Sequence, residues 1–349
     1  MGRTRPQARQ APSQRTGLGL DVGGTQTRWA VAHDDGRLLG QGVLPGFNAT
    51  LLAQPDGRLS VVDVLAALQV EVQALLPSAA LHRVWAGITG TDAQSGAALR
   101  HLMATQLGLP ASRIDLASDI EMACRAAFEP GGGYVVYAGT GSIAGYVDAQ
   151  HQFHRAGGRG HLVDDAGSGH WIATQALRQI WRAEDARPGA WRASPLARRV
   201  LGQIGVLAWP TRAARDADVA DTGQAPPAPS PEDERAAAWG ADWSVCRQWL
   251  AQASRGEVGQ LALAVAADGL PPDAAAQNIL IRAGQALADL VLAMSHRHGL
   301  RPVALAGRVF LLSPLIERAL RASLPPGRVV NALAADLAVA AARRAATAP

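Results

Sequence analysis

An α/β protein of two domains is what the sequence predicts, and three observations predict it. The 349 residues exceed what one hydrophobic core usually organises. A β-meander at the start gives way to alternating helical and strand patterns, the order expected of an α/β architecture. A second meander with its own glycine and hydroxyl turn begins at Gly133, so the plan of the first half recurs in the second. With 48% apolar and 18% charged residues, the chain can build a globular core.

The first strand runs from Gly17 to Val22 and ends in Gly23-Gly24-Thr25. Strands Arg28 to Ala32 and Arg37 to Val43, joined through Asp34-Asp35-Gly36, complete a three-stranded meander. Because the glycine turn leads into a strand, it differs from dinucleotide and lysine-bearing phosphate loops, which lead into helices. Val61 to Leu76 carries apolar residues at helical spacing, Arg83 to Thr89 reads as a strand and Gly96 to Leu107 as a helix. Arg113 to Ala117 is a short strand running into Ser118 and Asp119, either of which can cap the helix Ile120 to Phe128. In the second meander, strands Tyr134 to Ala138, Ile143 to Asp148 and Gln152 to Ala156 surround the turn Gly139-Thr140-Gly141-Ser142. A helix follows over 168 to 182, and most of the remainder is helical, interrupted by the proline-rich stretch Asp216 to Pro231, an expected exposed loop. Near the end come a strand from Pro302 to Ala306, a turn at Gly307, and helices Ser313 to Ser323 and Asp336 to Ala346.

Composition removes several function classes. No lysine occurs anywhere, which excludes Schiff-base chemistry and the lysine-bearing phosphate loop. The formal charge of +4 comes from arginines scattered along the chain except at its N-terminus, and no nucleic-acid motif accompanies them, so no nucleic-acid partner is expected. Cys124 and Cys246 are the only cysteines, too few for a disulfide framework or a zinc ribbon, and they fit a reducing cytoplasm. Residues 1 to 16 read as a disordered leader without the apolar stretch of a secretory signal. No run of about 18 apolar residues lacks charges, so no membrane span is expected.

Leu18-Gly19-Leu20-Asp21-Val22-Gly23-Gly24-Thr25 resembles the first phosphate motif of the actin/hexokinase/heat-shock ATPases. Glycines there let the backbone approach a polyphosphate and supply amide donors, while Thr25 adds a hydroxyl. Taken alone, the segment also describes a plain hairpin turn. Ala138-Gly139-Thr140-Gly141-Ser142 resembles the second phosphate motif of the same group, and two such turns, each inside a meander, are a more specific signal than one.

A closer resemblance, to N-acetylglucosamine kinases and the BadF/BcrA-type ATPases, rests on Gly157-Gly158-Arg159-Gly160-His161-Leu162-Val163-Asp164-Asp165-Ala166-Gly167-Ser168-Gly169-His170-Trp171-Ile172. Gly90-Thr91-Asp92 and Ala304-Leu305-Ala306-Gly307-Arg308-Val309-Phe310 are similar to two further loops of that family, so the resemblance spans about residues 17 to 345. It implies two ribonuclease-H-like domains of the actin/hexokinase type with an interdomain cleft. The first would cover 17–130 and the second 131–349, with a helical insertion at about 185–275 and a final helix free to pack back on the first domain.

The resemblance also implies ATP and Mg²⁺, with Asp119 as catalytic base. Gly23, Gly24, Thr25, Gly139, Thr140 and Gly141 would cradle phosphates, Gly307 would lie on the adenosine side, and Asp21 would face the metal through water. Asn48, Asp92, Thr140, Arg159 and Asp165 would contact the sugar, since carboxylates and amides suit groups that both donate and accept. Asp92 has an alternative as a helix cap. The implied reaction is phosphorylation of an amino sugar, N-acetylglucosamine to its 6-phosphate, with glucosamine or N-acetylmuramic acid as alternative acceptors, and a homodimer is the implied assembly.

Arg159, Asp164 and Ala166 depart from the family pattern of Trp, Gly and Glu, and all three lie in the sugar loop. Arg159 would favour an acidic sugar, or it would pair with Asp164 at the surface to little energetic effect. Two competing expectations are an electron-transfer activator, which would need cluster-binding cysteines, and a catalytically silent sugar-binding protein.

Overall fold

The computed structural model describes residues 15–76, 81–91, 93–205, 243–267, 273–326, 330–333 and 336–348. The expected loop Asp216 to Pro231, Asp92 and all of the leader up to residue 14 lie outside the described residues. The chain divides into two compact units: residues 1–135, 145–154 and 332–349 form one, and 136–144 with 155–331 form the other.

The first unit is built on a sheet of order β3-β2-β1-β4-β5. Its strands are β1 (Thr16–Val22), β2 (Gln26–His33), β3 (Leu38–Pro45), β4 (Arg83–Ile88) and β5 (Ile114–Ala117). β1 begins at Thr16, one residue inside the expected leader, because Thr16 already pairs with His33. β2 is antiparallel to both β1 and β3, whereas β1, β4 and β5 run parallel, with Val22 opposite Ile88 and Gly87 opposite Ala117. All three parallel strands therefore end at one edge of the sheet, the edge where open α/β sheets bind ligands.

Leu18, Leu20 and Val22 face one side of β1 and join a core with Val61, Leu65 and Leu68 of α1 (Pro55–Leu75) and with Leu99 and Met103 of α2 (Ala93–Leu107). α1 starts six residues ahead of the apolar period at Val61, because Pro55 occupies the first helical turn, where its missing N–H costs nothing. α3 (Asp119–Ala127) takes Ser118 as its N-cap, the side chain accepting from the Glu121 amide.

The opposite side of β1 presents Gly17 and Gly19. A Cβ at Gly19 would collide with the backbone of Ala338 and Ala342, and one at Gly17 with that of Ala342, Ala345 and Ala346. These alanines belong to the final helix, Leu337–Thr347, whose N-cap is Asp336 and which lies directly on β1 and β2 within the first unit.

A second sheet has the order β10-β9-β6-β7-β8. It consists of β6 (Tyr134–Ala138), β7 (Ser142–Val147), β8 (Phe153–Gly157), β9 (Val303–Ala306) and β10 (Val330–Ala332). Helices of the second unit are α4 (Gly169–Ala186), α5 (Pro195–Ile204), α6 (Trp243–Gln252), α7 (Arg255–Ala266), α8 (Ala274–His298) and α9 (Pro314–Ser323), and the final helix completes the series as α10. α4 packs on α7, and Ile172, Ala176 and Ile180 on α4 and Val258, Leu261 and Val265 on α7 are buried. α8 is long and apolar enough by length and composition to cross a membrane, but Ile279, Leu280, Leu287, Val291 and Met294 on it are buried within the unit.

The seat of α10 on β1 yields a paired expectation. Gly19→Ala should destabilise the protein by about 3 kcal/mol, since the added methyl meets backbone that cannot rotate away. Gly24→Ala, where a Cβ meets nothing within 4 Å, should change stability by less than about 0.5 kcal/mol. Urea unfolding of the two variants beside the parent protein distinguishes the pair.

Candidate active site

The ends of β1, β4 and β5 bring together most of the residues expected in the first unit. Past Val22 the chain turns tightly, with the Gly23 amide donating to Gln26 O at 2.9 Å. Gly24 and Thr25 at the tip are exposed. Gly46, on the way to Asn48, packs beneath this turn: a Cβ there would strike Gly23 O and the Gln26 amide, and its own N–H donates to Thr25 O at 3.1 Å. Only glycine leaves that space, so the run Pro45-Gly46-Phe47-Asn48 supports the phosphate-type turn as well as carrying Asn48, a role that the sequence analysis missed.

Asn48 Oδ1 accepts from the Thr50 amide at 2.7 Å and also from the Thr50 hydroxyl, capping the short turn Ala49–Ala53. Its carbonyl end is therefore committed locally, and its NH₂ is the end left to meet a ligand.

Thr89, which carried no motif, joins three parts of the site. Its amide donates to Val22 O at 3.0 Å, where the first glycine turn begins, and its carbonyl accepts from Ala49 N, beside Asn48. Its hydroxyl lies 2.8 Å from Asp119 Oδ2 and 3.1 Å from Val22 O, and donates toward both. Asp119 Oδ1 accepts from the Ile120 amide at 2.9 Å. Placed at the first position of α3, the carboxylate also sits in the favourable field of the helix N-terminus. A carboxylate oriented in this way can accept a proton from a hydroxyl brought to the same edge.

Asp21 lies on the face of β1 that carries Gly17 and Gly19, just beyond the N-terminus of α10. Its pKa is raised from 3.8 to about 6, chiefly by burial, with smaller contributions from the nearby carboxylates Asp119 and Asp336, while Arg28 across β2 opposes the shift. Three carboxylates near one another with a single opposing arginine is an arrangement that a cation relieves. Among the described residues no group of three or more ligating side chains converges on one point. That donor set suits Mg²⁺ held by one carboxylate and by water, since this ion keeps much of its hydration shell.

In the second unit, the Gly139 amide donates to Gly141 O at 2.8 Å and closes the second turn. The turn is bound to the start of α4, with the Gly169 amide donating to Gly139 O at 2.8 Å. The loop from 157 to 167 is joined to it through Ser142, whose hydroxyl donates to Ala166 O at 2.7 Å. Gly307 has a φ of +99° and lies so close to the end of β6 that a Cβ would collide with Ala138 O. The loop from 157 to 167 is strongly left-handed, with Gly157, Gly158, Gly160, Asp165 and Gly167 all at positive φ. Asp165, at 59°, bears the conformational cost of a non-glycine residue there.

Asp165 is buried, and its Oδ2 is ion-paired with Arg255, the first residue of α7. The guanidinium covers Gly141, where a Cβ would strike Nη2. Arg255 stands 90 residues from its partner in sequence and matches no motif, so nothing in the sequence signalled it. Asp164 does not pair with Arg159: its Oδ1 accepts from the Ala166 amide at 3.2 Å, and Arg159 is exposed. Both cysteines are buried, and burial pushes both thiols up, so neither offers a thiolate to a metal cluster.

The model of the BadF/BadG/BcrA/BcrD ATPase family matches residues 18–326. An N-acetylmuramic acid/N-acetylglucosamine kinase of Clostridium acetobutylicum is 27% identical over 172 residues, which are 49% of this chain and 55% of the relative, so the chain spans about half the length of the curated relative it matches. A structure from Chromobacterium violaceum assigned as an N-acetylglucosamine kinase aligns over 94% of this chain and 98% of its own, with a TM-score of 0.61 and 24% identity. One from Porphyromonas gingivalis with the same assignment aligns over the same shares at 0.62 and 16%. The expected two-domain actin-like α/β architecture is thus the one observed.

A raised carboxylate pKa means that the folded protein binds that proton more tightly than the unfolded chain does. Asp21 therefore contributes stability below about pH 4 that is lost as the pH rises through 6. Asp21→Asn should accordingly stabilise the nucleotide-free protein at pH 7 by on the order of 2 kcal/mol, with the difference vanishing near pH 4. Urea unfolding at the two pH values, without Mg²⁺ or nucleotide, measures both.

Proposed function

The chain belongs to the BadF/BadG/BcrA/BcrD ATPase family, and from there we propose that it is an ATP-dependent kinase that phosphorylates a hydroxyl of an amino sugar with an N-acetylglucosamine core. The observation that carries this reading is the oriented carboxylate of Asp119 at the same sheet edge as the Gly23-Gly24-Thr25 turn, held there through Thr89. The family match, the name of the curated relative and the sugar-loop resemblance support the same reaction class.

In this mechanism the Gly23–Thr25 and Gly139–Gly141 turns hold the phosphates of ATP through backbone amides, a role that needs no lysine. Asp165 Oδ1 and the Asn48 amide hold acceptor hydroxyls, and Asp92 and Thr140 assist. Asp119 takes the proton of the attacking hydroxyl as its oxygen bonds to the γ-phosphorus and the bond to the bridging oxygen of ADP breaks. Asp21 would hold Mg²⁺ through water, and that ion would supply charge neutralisation at the phosphate oxygens. The two cysteines, too few for a disulfide framework, fit a cytoplasmic enzyme, and a homodimer is the assembly proposed from the family resemblance.

A coupled ADP-release assay with Mg-ATP and a panel of amino sugars tests the reading. Sugar-stimulated turnover is expected, with Asp119→Ala lowering kcat about 1000-fold. ATP binding without stimulation by any sugar would instead favour a catalytically silent protein. Thr89→Val, which removes the hydroxyl donated to Asp119, should lower kcat about tenfold with little change in KM, while Thr89→Ser retains near-parent turnover.

A further inference from the structure

A cation that no motif announced lies against the second glycine turn. Arg255 opens α7, and the start of that helix is fixed by a reciprocal cap: the Ser254 amide donates to Glu257 Oε2 at 2.7 Å, and the Glu257 amide to Ser254 Oγ at 3.3 Å. One turn further on, Gly259 packs closely, since a Cβ there would meet Thr140 Cγ2 at 3.4 Å and the His170 nitrogen at 3.5 Å. The first turn of α7 is thus seated beside the Gly139–Gly141 turn and the start of α4. From it the Arg255 guanidinium folds over the glycine turn, into the space that a Cβ at Gly141 would need.

Arg255 has donors that its partner does not use. Its ion pair with Asp165 runs through Nη2, while Nε and Nη1 have no hydrogen-bond partner among the described residues. The side chain is 39% exposed and lines an open pocket of about 420 Å³, so a ligand can reach it. A guanidinium kept only to balance a buried acid would spend its remaining N–H groups on neighbouring acceptors. Pairing with Asp165 also holds the planar group in place before a ligand arrives, which reduces the freedom lost when the other donors are used. The chain has no lysine, and His170 beside the turn has its pKa held below the ordinary value, by burial first and then by His161 and Arg255. At neutral pH the positive charge at this turn is therefore that of Arg255.

We propose that Arg255 is a phosphate-binding residue: while Nη2 stays on Asp165, Nε or Nη1 donates to a phosphate oxygen of ATP held at the Gly139–Gly141 turn. A fixed guanidinium suits the tetrahedral oxygens of phosphate and supports the negative charge on them during transfer. One side chain thereby holds the sugar-binding carboxylate and the nucleotide together, so the two ligands share an anchor. This inference rests on the kinase reading of the Gly139–Gly141 turn and of Asp165.

Calorimetric titration of the full chain with ATP, with adenosine and with N-acetylglucosamine tests it, on the parent protein, Arg255→Gln and Arg255→Lys. Arg255→Gln should weaken ATP binding about tenfold and leave adenosine binding unchanged, and it should lower kcat for sugar-stimulated ADP release about 100-fold. Arg255→Lys, which keeps a charge for Asp165 without the planar fork, should retain sugar binding and lose part of the ATP affinity. Parent-like ATP binding in Arg255→Gln, or in Arg255→Lys where the first variant does not fold, would make Arg255 a counterion of Asp165 and overturn the proposal. An equal loss for ATP and adenosine overturns it as well. Sugar-stimulated turnover by the parent with unchanged ATP binding in the variants leaves the kinase standing and removes the role of Arg255. The selective loss of ATP binding without turnover by the parent does the reverse, and a parent that binds no ATP removes both.

Discussion

The contact on which the first unit depends is made mostly by main chain: the backbone of α10 lies against the backbone of β1 at Gly17 and Gly19, with the Ala341 methyl beside Gly19. Leu18, Leu20 and Val22 on the other face give β1 an ordinary apolar core, so the strand is covered on both sides. Side chains alternate along a strand, and Asp21 is therefore sent to the helix side as the next odd residue after the two glycines. It emerges where α10 begins, next to the capping residue Asp336. Close packing at two glycines thus determines where a carboxylate becomes buried, and how near it comes to others.

That carboxylate opposes folding in the absence of ligand, and the opposition has a use. Burial without a matched cation is costly, and among the described residues Arg28 is the one group of opposite charge that lowers the Asp21 pKa, against Asp119 and Asp336. The second unit treats its buried acid differently. Asp165 has its own arginine, so its charge is balanced within the chain. One buried acid thus lacks a matched partner and the other has one. Sites are often places where stability is given up for function in this way.

Much of this organisation was legible in the sequence because local chemistry writes it there. Glycine turns between strands, Ser118 as a cap, and the strand that runs into Ser118 and Asp119 all follow from residue types at short spacing. Thr89, Gly46 and Arg255 were not legible, because each acts through a partner distant in sequence: Asp119, the first turn and Asp165. A threonine at a strand end or an arginine at a helix start has many possible roles, and only the pairing of strands selects one. The start of α1 was misjudged for another reason, since its first six residues lack an inward apolar stripe and begin with a proline that belongs in a first turn. The ion pair imagined between Arg159 and Asp164 failed because the left-handed run of the loop directs Asp164 to the Ala166 amide instead.

The place of α10 also governs the timing of assembly. Residues 337–347 complete a layer around strands formed by residues 16–33, more than 300 positions earlier. During synthesis the glycine face of β1 stays uncovered until the residues of α10 have been made, so a surface that the native fold shelters is exposed through that interval.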